Sequence, residues 1–152
     1  MAGTPRTRFT KPRRLLSRAD FDRVQNGRAV RRASSTHFLV LLTPRVAAAT
    51  GARLGIIASR RVGSSVRRNR AKRLIREWFR AAASGLGDAD MVVVVKTGAE
   101  KLSAAKAAAE LAATAARAAK AAPTSDSRPP RAKKRPTTKS AKATAKGKRP
   151  RT

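Results

Sequence analysis

Residues 64–80 read SSVRRNRAKRLIREWFR, and no other stretch limits the fold of this chain so strongly. At about 100° per residue, Ala71, Leu74, Ile75, Trp78, Phe79 and Ala82 fall within one arc of a helix. Asn69, Lys72, Arg73, Arg76 and Arg80 fall on the opposite arc. Such a helix must lay its apolar arc on a core and turn its cations outward. Ser64 or Ser65 can cap its first turn. Glu77 can pair with Arg73 or Arg80, but one carboxylate cannot neutralise the row. Arg67 and Arg68 fall outside the polar arc, in the first turn, where side chains can splay away from the helix axis.

The core that this helix needs is supplied by short strands. Residues 37–43 form an apolar run closed by Pro44, and residues 53–59 form a second. The polar segment 29–34 extends or precedes the first run. The loop around Ala47 to Gly51 suits a hairpin between the two runs. Residues 91–96 contain four consecutive valines, bounded by Asp90 and Gly98. β-branched residues favour a strand, and valine on both faces predicts a central one. Upstream, Ser17 and Asp20 have capping-box spacing, Phe21 and Val24 form an apolar stripe, and Asn26-Gly27 is a stop signal. A short helix over 18–26 follows. Residues 104–121 are alanine-rich, with Ser103 as a cap. Leu111 is the one large apolar residue there, so this last helix is expected to pack weakly or fray.

Charge decides the class of partner. The whole chain has 37 Lys and Arg against 8 Asp and Glu, a formal charge of +29. Residues 123–152 contain 11 basic residues, one acid and five prolines, with no large apolar residue. That stretch cannot bury enough surface to offset chain entropy, and the expectation is a disordered basic tail. The remainder still has 26 basic and 7 acidic residues. A polyanion is therefore expected on the folded part itself. Residues 1–13 read as a loose basic N-terminus, 14–122 as one RNA-binding α/β domain, and 123–152 as the tail. There is no apolar run long enough to span a bilayer and no apolar signal core near Met1, which leads to an expected cytoplasmic location. The chain has no cysteine and one histidine, which leaves no thiolate or histidine-rich metal site. No carboxylate pair, histidine pair or activated nucleophile is in evidence, so no protein-borne catalytic site is expected.

Bland readings compete at each residue. A basic helix face is usually only solvated, but here no acidic counter-face balances it. A membrane-surface helix would keep its aromatics for lipid, whereas flanking strands offer these a core. His37 reads as a surface or packing residue. Phe38, Trp78 and Phe79 read as core rather than base-stacking platforms. Phe21 is open to either role.

At the basic helix the sequence resembles the protein component of bacterial ribonuclease P. The residues that carry the resemblance are Arg68-Asn69-Arg70 continuing into Lys72-Arg73-Leu74-Ile75-Arg76. Leu54-Gly55, Arg60-Arg61 and Gly63 precede them. Arg14-Leu15-Leu16 before Asp20-Phe21, and the strand at Met91–Lys96, match in order and spacing. The resemblance covers about residues 14–121.

It implies an α/β sandwich of order αβββαβα with a left-handed strand–helix–strand crossover. It implies a subunit of the ribonucleoprotein that hydrolyses the 5′ leader from precursor tRNA, with magnesium ions held by the catalytic RNA subunit and not by the protein alone. Arg60, Arg61, Arg68, Asn69, Arg70, Lys72, Arg73 and Arg76 would face RNA. Phe21, Gln25 and Leu41 would belong to a cleft for the leader. Where many members have a second aromatic, this chain has Gln25, and where some have a tyrosine it has Leu41, so leader stacking is expected to be weaker here. The implied partners are the catalytic RNA and precursor tRNA, with no membrane and no small-molecule substrate. The alternatives from charge alone are a ribosomal RNA-binding protein, a chromatin-like polycation or an autonomous nuclease.

Overall fold

In the computed structural model, which describes residues 9–45 and 51–123, three helices and four strands follow the expected order. They are α1 (Arg18–Asn26), β1 (Arg31–Ser34), β2 (Phe38–Pro44), β3 (Arg53–Ala58), α2 (Ser65–Ala82), β4 (Ala89–Val95) and α3 (Ala104–Lys120). Residues 1–8, residues 46–50 and all but the first residue of the expected tail 123–152 lie outside the described residues. The described fold starts before the expected boundary at 14. Lys11–Arg13 form a single 3-10 turn, and the Phe9 ring packs edge-on against Phe79 at 5.6 Å.

The caps are those that the residue types dictate. The Ser17 hydroxyl accepts the Asp20 N–H at 3.1 Å and donates to the Asp20 carboxylate at 2.8 Å. At the other end of α1, Gly27 stops the helix in extended backbone (φ −68°, ψ 155°), not in the left-handed conformation usual for such a glycine. Glycine is needed here for space, since a Cβ would stand 2.4 Å from the Arg23 carbonyl oxygen.

The sheet has the order β1-β2-β4-β3. β2 is antiparallel to both β1 and β4, and β3 is parallel to β4. The valine-rich strand is indeed central. The hairpin expected between residues 37–43 and 53–59 does not form, because β4 inserts between those strands. The physical reason is the apolar arc of α2: the helix must cover the sheet, and it does so by connecting β3 to a parallel neighbour.

Alternation along the strands divides the core in two. On one face, Phe38, Val40, Leu42, Leu54, Met91, Val93 and Val95 pack with Ala71, Ile75, Trp78 and Phe79 of α2 and with Leu111 of α3. On the other, Leu41 and Val92 pack with Leu15, Val24 and Val30 under α1, joined at the edge by Phe21, Leu39, Ile57 and Val94. Even and odd residues of β4 point to opposite faces, so Val92 and Val94 lie away from Trp78.

α3 does not pack weakly. Ala107, Leu111, Thr114, Ala115 and Ala118 are all buried against β1, β2 and α2. Alanine lets helix and sheet backbones approach closely, so the absence of bulky residues does not imply the absence of a packed face. A carboxylate adds to this. Glu110 accepts the His37 backbone N–H and meets His37 Nδ1, both at 2.8 Å. Burial pushes the Glu110 pKa up, but bonds from the Ser35 side chain and from the His37 backbone and ring outweigh it and hold the carboxyl below its ordinary value. His37 is thus a packing residue, clasping α3 to the start of β2.

Candidate nucleic-acid interface

Burial of Ala71, Ile75 and Phe79 fixes the rotation of α2, with Trp78 beside them at 7% exposure. Ser64 caps the helix, its hydroxyl accepting the Arg67 N–H at 3.5 Å. The expected polar arc then points outward. Asn69, Arg73 and Arg80 are exposed, while Lys72 and Arg76 are half-buried. Glu77 makes no ion pair with Arg73 or Arg80 among the described residues.

The triplet is not uniform. Arg68 is half-buried, and its Nε is buried without a hydrogen-bond partner. Asn69 is exposed. Arg70 lies on the flank of the arc, and its Nε donates to the Glu100 carbonyl at 2.8 Å. That bond ties α2 to the 3-10 turn Ala99–Lys101 after β4 and fixes where the guanidinium begins. Arg60 and Arg61 stand exposed on a 3-10 turn, Arg60–Val62, with Val62 buried beneath. Gly63 leads from that turn into α2 at φ +128°, in a conformation that L side chains rarely adopt. A Cβ there would also meet Arg67 Cδ at 2.9 Å. All eight cationic and amide residues expected to face RNA therefore lie on α2 or on the turn that starts it.

The carboxylates are engaged elsewhere. Asp90, fully buried on β4, is gripped by Arg53 Nε at 2.7 Å and Nη2 at 2.8 Å, and it also accepts from Arg23. Asp20 accepts from Arg23 at 3.2 Å and from Arg53 at 3.3 Å. The Asp20 carboxyl is held below its usual range first by the Ser17 hydroxyl, then by Arg53 and Arg23, against the opposing effect of burial. Arg53 is pushed up, first by its bonds to Asp90. Asp22 lies 3.9 Å from Arg18, Asp88 accepts the Gly51 N–H, Glu100 the Gly98 N–H, and Glu110 holds His37. Among the described residues Glu77 alone has no such partner, and it is exposed.

Sequence reasoning missed the Arg23–Arg53–Asp20–Asp90 network. A signal existed. Arg53 opens β3 and Asp90 stands second in β4, and they become register partners once the two strands are parallel.

The second expected site lies under α1. The Phe21 ring sits over Gly55, where a Cβ would come within 2.6 Å of Phe21 Cε1. Gln25 is half-buried, and its carbonyl accepts from Arg32 Nη2 at 2.7 Å. Leu41, expected in the cleft, is 4% exposed and packs beneath α1 with Val92. It supports the sheet surface but does not offer itself to a ligand. The half-exposed apolar row beyond α1 is instead Leu39–Val94–Ile57, with Ser34 at its end by register. Lys96 borders it, its Nζ donating to Ser34 Oγ at 2.6 Å.

Among the described residues no three His, Asp or Glu side chains are grouped to hold a metal ion, and no helix is long and apolar enough to cross a membrane.

The ribonuclease P family model matches residues 9–119. The ribonuclease P protein component of Geotalea uraniireducens is 39% identical over 104 residues, covering 68% of this chain and 88% of the relative. That of Desulfovibrio desulfuricans is 40% identical over 107 residues, covering 68% and 82%. The RNase P protein structure from Staphylococcus aureus aligns with TM-score 0.60 at 26% identity, covering 67% of this chain and 91% of that one. The Thermotoga maritima protein aligns with TM-score 0.56 at 26% identity, covering 66% and 92%. The alignment thus spans the sheet, the basic helix and its flanking turns. This chain belongs to the ribonuclease P protein component family.

Proposed function

We propose that the chain binds the catalytic RNA of ribonuclease P through α2 and the turn before it, and guides the 5′ leader of precursor tRNA across the sheet beside α1. Membership of the family gives it a role in an endoribonuclease complex whose partner is the ribonuclease P RNA. The observation that carries the finer reading is the asymmetry of charge. Arg68, Lys72, Arg73 and Arg76 stand on a helix immobilised by Ile75, Trp78 and Phe79, and among the described residues no carboxylate pairs with them. A guanidinium donates two parallel bonds to one phosphate, and a rigid array of such groups fixes the orientation of the RNA it contacts. Asn69 adds a neutral group able to bond a base edge or a 2′-hydroxyl. Arg60 and Arg61 extend the array along the same edge.

The leader would run over Leu39, Val94 and Ile57, between Phe21 and Gln25 on one side and Lys96 on the other. Apolar contact and phosphate neutralisation would hold the leader there, with Phe21 as the aromatic beside the path. Chemistry stays with the RNA. A magnesium ion held by this protein alone does not fit its donor set, because six of the seven described carboxylates are already bonded to cations or N–H groups. Those carboxylates set the fold and leave the ion to RNA phosphates.

Reconstitution tests this. The full chain, mixed with a bacterial ribonuclease P RNA at low magnesium, should raise cleavage of precursor tRNA at the mature 5′ end. A protein that leaves cleavage unchanged, or binds ribosomal RNA equally well, is not acting as this subunit.

A further inference from the structure

Arg80 and Arg14 lie outside the row just described, yet they converge on it. Arg73, Arg76 and Arg80 follow at i, i+3 and i+7 on α2, so they share one face. Arg14 belongs to the segment between the first 3-10 turn and α1, and it pairs with Leu54 at the edge of β3. Its guanidinium lies 4.9 Å from the centroid of the Phe9 ring and donates to the Phe9 carbonyl at 3.2 Å. Phe9 in turn meets Phe79, the neighbour of Arg80. Arg14 is thereby brought to the end of α2 that bears Phe79, beside the flank where Arg76 emerges. Between them Arg76 is half-buried, with a buried Nε that finds no acceptor. Burial and then repulsion from Arg14, Arg80 and Arg73 lower the Arg76 pKa from its ordinary value. An arginine still keeps its charge.

Like charges gathered this closely call for a counter-ion. The described residues supply none: each of their carboxylates except exposed Glu77 has a partner elsewhere, and Glu77 pairs with none of the four. We infer that Arg14, Arg76 and Arg80, flanked by Arg73, clasp a single backbone phosphate of RNA, at a place where the N-terminal segment already lies against α2. The geometry suits a phosphodiester better than a base. The donors are all guanidinium N–H groups, and the two exposed residues approach Arg76 from different elements. The inference rests on the reading of α2 as an RNA-binding helix and adds two residues to it.

Phosphorothioate footprinting of the ribonuclease P RNA, with the full chain bound, tests the clasp. Arg14→Gln and Arg80→Gln should each weaken binding roughly tenfold, the loss of one charge-assisted contact. The double variant should lose clearly less than the hundredfold that independent contacts would give, since both groups serve one phosphate. Protection should disappear at the same nucleotide in both single variants. Arg18→Gln, an exposed arginine near Asp22, should leave that nucleotide protected. Arg14→Lys retains charge and guards against a folding defect, and it should restore affinity only in part. Losses at different nucleotides, or additive losses, overturn the clasp while Arg73→Gln still marks a footprint of its own. A wild-type protein that protects no nucleotide of this RNA overturns the RNA reading itself, and the clasp with it.

Discussion

On the α1 face of the sheet, Arg23 and Arg53 close on Asp20 and buried Asp90 at hydrogen-bond distance. On the α2 face, Arg73, Arg76 and Arg80 stand along one helix with no carboxylate among the described residues paired to them. Both sets are held by well-packed secondary structure, and both belong to a strongly basic chain. The paired set has spent its charge inside the protein. Removing a partner from it would leave a guanidinium stranded near the core, so its role is to fix α1 on the sheet. The unpaired set is held in place by apolar residues on the other side of its helix, and the described residues leave its charge uncompensated. Basic composition alone would count the two sets as equal.

The largest expected effect breaks the paired set. Asp90→Asn retains shape but removes the charge that Arg53 and Arg23 share, and it should cost about 3–5 kcal/mol in urea unfolding. The fraction that remains folded should bind RNA as the wild type does. An affinity loss matching that of Arg76→Ala would mean that the α1-side arginines also bind RNA, and the contrast between the faces would dissolve.

Smaller is the effect of Gly55→Ala. The added methyl meets the Phe21 ring at 2.6 Å, and the ring must move. A half-buried ring can yield, so the stability cost should be about 1–3 kcal/mol. Assembly with the catalytic RNA should survive, and affinity for precursor tRNA with a leader should drop relative to mature tRNA. Equal losses for both tRNAs would remove Phe21 from the leader path.

Smallest is the response to acid. The Asp20 and Glu110 pKa values are both depressed in the folded state. Each therefore contributes stability that is present above its unfolded pKa and lost as pH falls through the folded one. Unfolding free energy should stay level through neutral pH and decline below about pH 4. Asp20→Asn should make that decline shallower. An unchanged acid limb would mean that Ser17, Arg53 and Arg23 do not stabilise the Asp20 carboxylate.

Much of this was legible from residues alone. The bounds of α1 followed from Ser17, Asp20 and Gly27, and the rotation of α2 from the spacing of Ala71, Ile75, Trp78 and Phe79. Run of valines and central position agreed for β4. Pairing between strands was less visible. A hairpin between residues 37–43 and 53–59 satisfies local rules, and only the need to cover α2 sends β3 to the parallel edge of β4. The Asp90–Arg53 pair depends on that choice, so it was hidden as well. The packing of α3 was missed because counting large side chains overlooks what alanine gains by close approach. Leu41 was placed in the cleft by resemblance, whereas it is buried under α1 and the half-exposed row is Leu39, Val94 and Ile57.

The central claim is that rigid, unpaired arginines on α2 read the geometry of RNA, whereas charge elsewhere adds only bulk attraction. Arg73→Ala with Arg76→Ala removes two charges from the helix. Arg131→Ala with Arg135→Ala removes two from the region beyond residue 123. The affinity of each double variant for the catalytic RNA, measured in magnesium with circular dichroism to confirm folding, compares them directly. The helix pair should lose about 1–3 kcal/mol per arginine, and the other pair well under about 1 kcal/mol at physiological salt. Equal losses would contradict the account, because binding would then count charges without regard to where the fold holds them.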